Sequence, residues 1–117
     1  MEEISPGERM ALNRIELLTL LAILRLGEKA YGVTIYEDIQ RIAGSDVSMA
    51  GVYSAVDRLE RRGLVRPWRS EPRPERGGRA RRHYDLTAAG RERVRQEREM
   101  AMKMWRGLAL DPSGRRR

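Results

Sequence analysis

The chain contains no cysteine, which excludes disulfide staples, cysteine-ligated zinc and thiol catalysis together. It has one histidine, His83, so most histidine-based metal and triad chemistry is excluded as well. Lysine is scarce: of 24 cationic side chains only Lys29 and Lys103 are lysines, and the other 22 are arginines. Long apolar runs are missing too. The most apolar stretch, 17–24, is interrupted by Thr19 and bounded by Glu16 and Arg25, well short of the roughly 20 residues that a membrane span needs. Met1-Glu2-Glu3 is acidic, where a secretory signal starts basic. A soluble, cytoplasmic protein with no membrane partner is expected. The phosphate-loop, dinucleotide, zinc-protease and calcium-loop signatures are all absent. Glu37 and Asp38, adjacent on a helical pattern, would project in different directions. No catalytic residue, metal or cofactor is indicated, and an enzyme is not expected.

What is present is positive charge in one place. The 117 residues suffice for one compact domain and not for two. The formal net charge is +7, but it is unevenly spread. Residues 1–57 carry a net −4, residues 58–82 a net +7, and residues 83–117 a net +4. A 25-residue block equal to the whole excess is the footprint expected of a surface that meets nucleic acid. Arginine strengthens the point, because guanidinium matches phosphate oxygens and guanine edges better than ammonium does.

Apolar spacing and capping residues divide the chain into helix, helix, helix, hairpin, helix. Ser5-Pro6-Gly7-Glu8 reads as a capping-box start for a helix that runs to Leu26 and stops at Gly27. Leu17, Leu18, Leu20, Leu21, Ile23 and Leu24 wrap more than one face of it, so it must be covered on several sides, in part by a second chain. The second helix, over 31–42, places Val33, Ile35, Tyr36, Ile39 and Ile42 at three- and four-residue spacings and ends at Gly44. Ser48 caps a third helix that runs to Arg62 and closes at Gly63. Its inward stripe is Met49, Val52, Val56 and Leu59; its other face offers Ala50, Gly51, Ser54, Asp57, Arg58 and Arg61, with Tyr53 at the border. Residues 64–69 and 83–86 read as two short strands, with Tyr84 and Leu86 on one face, His83 on the solvent side and Pro67 marking an edge. The turn between them carries Arg73, Arg76, Arg79, Arg81 and Arg82. Thr87 caps a last helix over about 88–108, in which Val94, Ala101 and Leu108 recur every seven residues.

Three helices, the third with an exposed polar and basic face, make a helix-turn-helix, and a basic hairpin directly after the third makes a wing. The expected fold is therefore mainly α with a small β-hairpin: a winged helix-turn-helix over 5–86 (wing about 64–86), a C-terminal helix over 87–110, and a flexible tail over 111–117. A helix about 10–12 Å across fits the major groove while the hairpin follows the backbone or the minor groove. Candidate DNA contacts are Ser48, Ala50, Gly51, Tyr53, Ser54, Arg58 and Arg61 on the third helix, and Arg79, Arg81 and Arg82 in the wing.

Several segments also resemble the PadR family of bacterial winged-helix regulators, in its short form with a single C-terminal helix. They are Ala30-Tyr31-Gly32-Val33-Thr34-Ile35, Val47-Ser48-Met49-Ala50-Gly51-Val52-Tyr53, Arg58-Leu59-Glu60-Arg61-Arg62-Gly63-Leu64-Val65, Gly77-Gly78-Arg79-Ala80-Arg81-Arg82, and Tyr84-Asp85-Leu86-Thr87-Ala88-Ala89-Gly90-Arg91. The likeness covers roughly residues 12–95. Its wing tip departs from the pattern, with Glu71, Pro72, Pro74 and Glu75 among the arginines.

The resemblance implies a homodimeric transcription regulator, most often a repressor, on a dyad-symmetric DNA operator. It implies dimerisation through the C-terminal helix with help from the first, which points to Leu17, Val94, Ala101, Met104, Trp105 and Leu108. In several members flat aromatic effectors sit between the C-terminal helices, a role that Trp105 would suit, with Trp68 a weaker candidate. Plain packing of the dimer seam by Met100, Met104 and Trp105 is the alternative at that position. At the level of function the alternative is a winged-helix module that docks a protein partner and touches DNA weakly or not at all.

Overall fold

The computed structural model describes residues 11–44, 46–69 and 82–109. Their order is α1 (Arg14–Leu26), a 3-10 turn (Gly27–Lys29), α2 (Gly32–Ala43), α3 (Met49–Arg61), β1 (Val65–Arg69), β2 (Arg82–Leu86) and α4 (Ala88–Trp105). Among the described residues no helix is long and apolar enough to cross a membrane.

Helix α1 starts later than the Ser5 capping pattern suggests. Residues 11–13 are non-helical, and Asn13 is the cap: its side chain accepts the Glu16 amide at 2.8 Å while the Glu16 carboxylate accepts the Asn13 amide at 2.9 Å. Two reciprocal bonds satisfy two of the amides that a helix start leaves unpaired. The expectation of one continuous helix from Ser5 is thus corrected at its described end, and Ser5 to Glu8 lie outside the described residues. The boundaries of α3 follow the sequence closely. Ser48 Oγ accepts the Gly51 amide at 3.0 Å. Helix α3 closes on Gly63 at φ 75°, with Leu64 N–H donating to Leu59 O at 2.9 Å and Gly63 N–H to Glu60 O at 3.0 Å. That paired closure needs a left-handed residue, which glycine adopts without a Cβ penalty.

The core forms where the three helices and the hairpin meet: Leu20 and Ile23 from α1, Ile35 and Ile39 from α2, Val52, Val56 and Leu59 from α3, and Leu64, Val65, Tyr84 and Leu86 from the hairpin. Each large apolar side chain buried there stabilises by about 1.5–3 kcal/mol. Two buried carboxylates lock α1 to its neighbours. Glu16, 4% exposed, takes Arg58 at 3.0 Å and Arg62 at 3.3 Å from α3. Asp38 on α2 takes Arg25 from α1 and Arg41 from its own helix, both at 2.7 Å.

Strands β1 and β2 pair antiparallel, with Val65 opposite Leu86, Pro67 opposite Tyr84 and Trp68 opposite His83. The other side of β2 is covered by the residues just before α2. Tyr31 forms an isolated bridge with His83, and Tyr84 N–H donates to Ala30 O at 2.9 Å. His83 is consequently buried, which corrects its expected solvent-side position. Its ring stacks on Trp68 at 4.2 Å and meets Tyr31 edge-on at 5.4 Å. Strand alternation alone assigned it to solvent because the covering segment is some 50 residues away in sequence.

Helix α4 is anchored at its start and exposed at its end. Thr87 donates its hydroxyl to Gly63 O at 2.6 Å and its amide to Leu64 O at 3.1 Å, and its Oγ1 accepts the Gly90 amide at 3.0 Å. Gly90 is the buried residue of α4, and Val94 packs half-buried against the core. Further along, Met100, Met102, Met104 and Trp105 are exposed. The helix stops at Trp105, short of the expected Leu108, as Gly107 turns at φ 77°. Asp111 to Gly114, the expected stop, and the tail lie outside the described residues.

Candidate nucleic-acid interface

The outward side of α3 is one clean stripe. Ala50, Tyr53, Ser54, Asp57 and Arg61 are exposed, and their spacings of 3, 1, 3 and 4 place them on one helical face. Ser48, itself exposed, caps its N-terminal end. The packed side carries Val52, Ala55, Val56 and Leu59, so burial of the apolar face fixes which residues turn out.

Tyr53 is held by a local fit. A Cβ on Gly32 would lie 2.5 Å from the Tyr53 ring and hydroxyl, so the ring rests against the first turn of α2 in the space that glycine leaves there. The ring remains 47% exposed. Tyr31, Gly32, Val33, Tyr53, Arg82 and Tyr84 line an open cleft of about 430 Å³, where the start of α2, α3 and the wing converge. The Tyr31-Gly32 pair and Tyr53, separate motifs in the sequence, are therefore two halves of one contact.

Not every candidate DNA residue joins the stripe. Gly51 is half-buried beside Ile15 of α1, whose Cδ1 would be 3.8 Å from a Cβ at that position. Arg58 lies on the same flank and gives its Nε to Glu16, so it braces α1 against α3. Arg61 stays on the outward face, with no hydrogen bond or ion pair recorded among the described residues. Arg82 gives Nη2 to Glu60 of α3 at 2.8 Å and Nε to the Tyr84 hydroxyl at 3.1 Å, which ties the base of the wing to α3. Arg79 and Arg81 lie outside the described residues, as do Arg73, Arg76 and the acidic residues of the tip.

The electrostatics of the brace are settled. Burial alone would raise the Glu16 carboxyl, but the Asn13 amide, the Arg58 hydrogen bond and the charges of Arg62 and Arg58 overcome it and hold the group below the ordinary carboxylate range. Asp38 is also held low, first by its hydrogen bonds to Arg25 and against the effect of burial. The brace was missed in the sequence because Glu16 and Arg58 are 42 residues apart. The Asn13-x-x-Glu16 spacing, a capping-box pattern, was the available signal that α1 begins there.

The six residues expected at a dimer seam or effector pocket divide in two. Leu17 and Val94 are half-buried on the body of the domain. Ala101, Met104, Trp105 and Leu108 are exposed, Met104 by 69% and Trp105 by 58%. Trp68 is engaged elsewhere, with one face stacked on His83. Among the described residues no group of three His, Asp or Glu is placed to hold a metal ion.

Comparison with known proteins gives a family and a fold. The family model for the transcriptional regulator PadR-like family matches residues 20–96. A PadR family transcription regulator from hypervirulent Clostridium difficile is similar at 24% identity and a TM-score of 0.60, with 80% of this chain and 95% of that chain covered. The hsRosR-S4 complex structure gives 24% identity and a TM-score of 0.62, over 92% of this chain and 84% of the other. A PadR-like transcriptional regulator from Bacillus cereus gives 18% and 0.58, over 75% and 82%. No curated protein matches the chain. The structural likenesses carry the winged-helix fold; the family rests on the 77 residues of the family match.

Proposed function

The chain belongs to the PadR-like family of transcriptional regulators, and on that premise we propose that it works as a homodimer binding a dyad-symmetric DNA operator through α3 and the wing. In this reading it acts as a repressor, and a small molecule or another signal releases it. The observation that carries the DNA reading is the outward stripe of α3, Ala50, Tyr53, Ser54, Asp57 and Arg61, all of them exposed. Ser48, Ala50, Tyr53, Ser54 and Arg61 are its contacts to bases and phosphates, with Arg79, Arg81 and Arg82 supplying backbone contacts from the wing. Arg58 and Gly51 act one step back, by fixing how α3 stands on α1.

The dimer reading rests on α4. A helix anchored by Thr87 and Gly90 that then exposes Met100, Met104 and Trp105, with Leu108 exposed just beyond its end, presents an apolar surface that a second copy of the helix would cover. Two recognition helices must reach successive major grooves about 34 Å apart, so a shift of the α4 pair by a few ångströms would weaken binding. That is the steric route for an effector, a flat aromatic compound beside Trp105 being the chemistry that fits. Electrophoretic titration of DNA upstream of its own gene, with sedimentation analysis of the free protein, tests the reading. A shifted band protected over two half-sites and a mass of two chains are expected. A monomer that protects no site would overturn it.

A further inference from the structure

The outward stripe of α3 contains an acid that a simple phosphate-binding face would not carry. Asp57 is exposed between Tyr53 and Ser54 on one side and Arg61 on the other. Its carboxylate has no hydrogen bond or ion pair among the described residues, although Arg61 stands four residues along the same helix. An acid four residues before a base is the favoured orientation for a helical ion pair. The chain uses i,i+3 and i,i+4 pairs elsewhere, between Asp38 and Arg41, Arg93 and Glu97, and Arg95 with both Glu92 and Glu99. On the recognition face the available pair stays open, and an acceptor and a fork of donors both point out.

A carboxylate brought up to a phosphate backbone is repelled, so it lowers non-specific affinity at every sequence. One partner in the major groove reverses that sign: the cytosine N4 amine, a donor, which a carboxylate accepts from. The neighbouring guanidinium has the matching preference for the O6 and N7 acceptors of guanine. Residues four apart are about 6 Å apart along the helix, which corresponds to one or two base steps of about 3.4 Å. We infer that Asp57 is a specificity-determining residue, reading a cytosine within one or two base steps of a guanine read by Arg61. The inference rests on the DNA-binding reading above and deepens it, since it says which chemistry on the operator selects the site.

Selection from a random-sequence duplex library, run on the full-length wild-type chain and on Asp57→Ala and Asp57→Asn, tests it. Both substitutions are on an exposed surface, and circular dichroism on each variant checks that the fold is kept. The wild type should enrich a half-site with a cytosine near a guanine. Asp57→Ala should flatten the preference at the cytosine alone, by about 5- to 140-fold, the factor that corresponds to one good base contact, while binding to random DNA rises. Asp57→Asn should move the preference at that position towards adenine, whose N6 and N7 a carboxamide matches. If the wild type enriches a sequence and both variants enrich the same one with unchanged discrimination, the assignment of Asp57 is overturned while DNA binding stands. If the wild type enriches no sequence, the DNA-binding reading falls and takes this assignment with it.

Discussion

Replacing Gly90 by alanine sets helix propensity against packing. In an exposed helix the change would stabilise by about 1 kcal/mol, because alanine loses less backbone entropy. Here the new Cβ would stand 2.1 Å from Leu64 O, 3.1 Å from Leu64 C and 3.3 Å from Leu86 Cβ. The first atom is main chain at the turn between α3 and β1 and has no rotamer by which to escape. Reaching 3.0 Å, below which real Cβ atoms essentially never sit, requires α4 to retreat by 0.9 Å. That retreat stretches the bonds from Thr87 to Gly63 O and Leu64 O, now 2.6 and 3.1 Å. Overpacking of this kind costs about 1–3 kcal/mol, and a weakened hydrogen bond about 1 kcal/mol. Against the propensity gain, a net loss of about 2 kcal/mol is predicted. Urea unfolding followed by circular dichroism at one fixed protein concentration measures it, as a lower midpoint at an unchanged slope. A variant as stable as the parent, or more so, would show that α4 does not sit this close to the turn and would refute the reasoning.

Removing the acid of the brace with Glu16→Ala takes a buried carboxylate away from both Arg58 and Arg62. Breaking a fully buried pair costs about 3–5 kcal/mol, and the part-exposed Arg58 reduces the expected loss to about 2–3 kcal/mol, again read from urea midpoints. Acid should act on the same groups. Glu16 and Asp38 are held below their unfolded values, so their contribution is complete above the unfolded carboxylate pKa of about 4 and is lost as pH falls through the folded values. Urea midpoints should therefore drop on acidification below about pH 4, and a Glu16→Gln, Asp38→Asn double variant should drop less steeply; equal slopes would contradict the assignment. Met104→Glu changes a side chain that is exposed in the single chain, so the domain should fold as before while sedimentation moves from two chains to one. A dimer of unchanged strength would move the seam away from this end of α4.

Local chemistry made most of the fold legible. Ser48 and Thr87 cap the helices they were expected to cap, Gly44 and Gly63 end α2 and α3, and the period of Val52, Val56 and Leu59 fixed which face of α3 turns in. Contacts across long stretches of sequence were not legible. Asn13 begins α1 because Glu16 closes a capping box and then reaches Arg58 and Arg62, and the Ser5 capping pattern that set the start earlier carries no trace of either partner. His83 alternates as an outward strand residue, yet Tyr31 and Trp68 enclose it from both sides. Tyr53 read as a border residue of the outward face and a candidate DNA contact, and its seat against Gly32 was not legible. Arg58 counted as positive charge on the recognition helix, and the fold engages it with Glu16. The outward face of α3 was thus legible in outline, and which candidate residues lie on it was sorted only by burial and pairing.

The dependence of DNA binding on salt tests the central claim most directly. Fluorescence titration of the full-length chain with its upstream DNA at 50 and 200 mM salt, beside a footprint at the lower concentration, gives both the charge count and the site. If the α3 stripe and the wing arginines of two chains neutralise some six to ten phosphates, affinity should fall about 10³- to 10⁵-fold between the two conditions, with protection over two half-sites one helical turn apart. Affinity that hardly changes with salt, together with no protected sequence, would contradict the account.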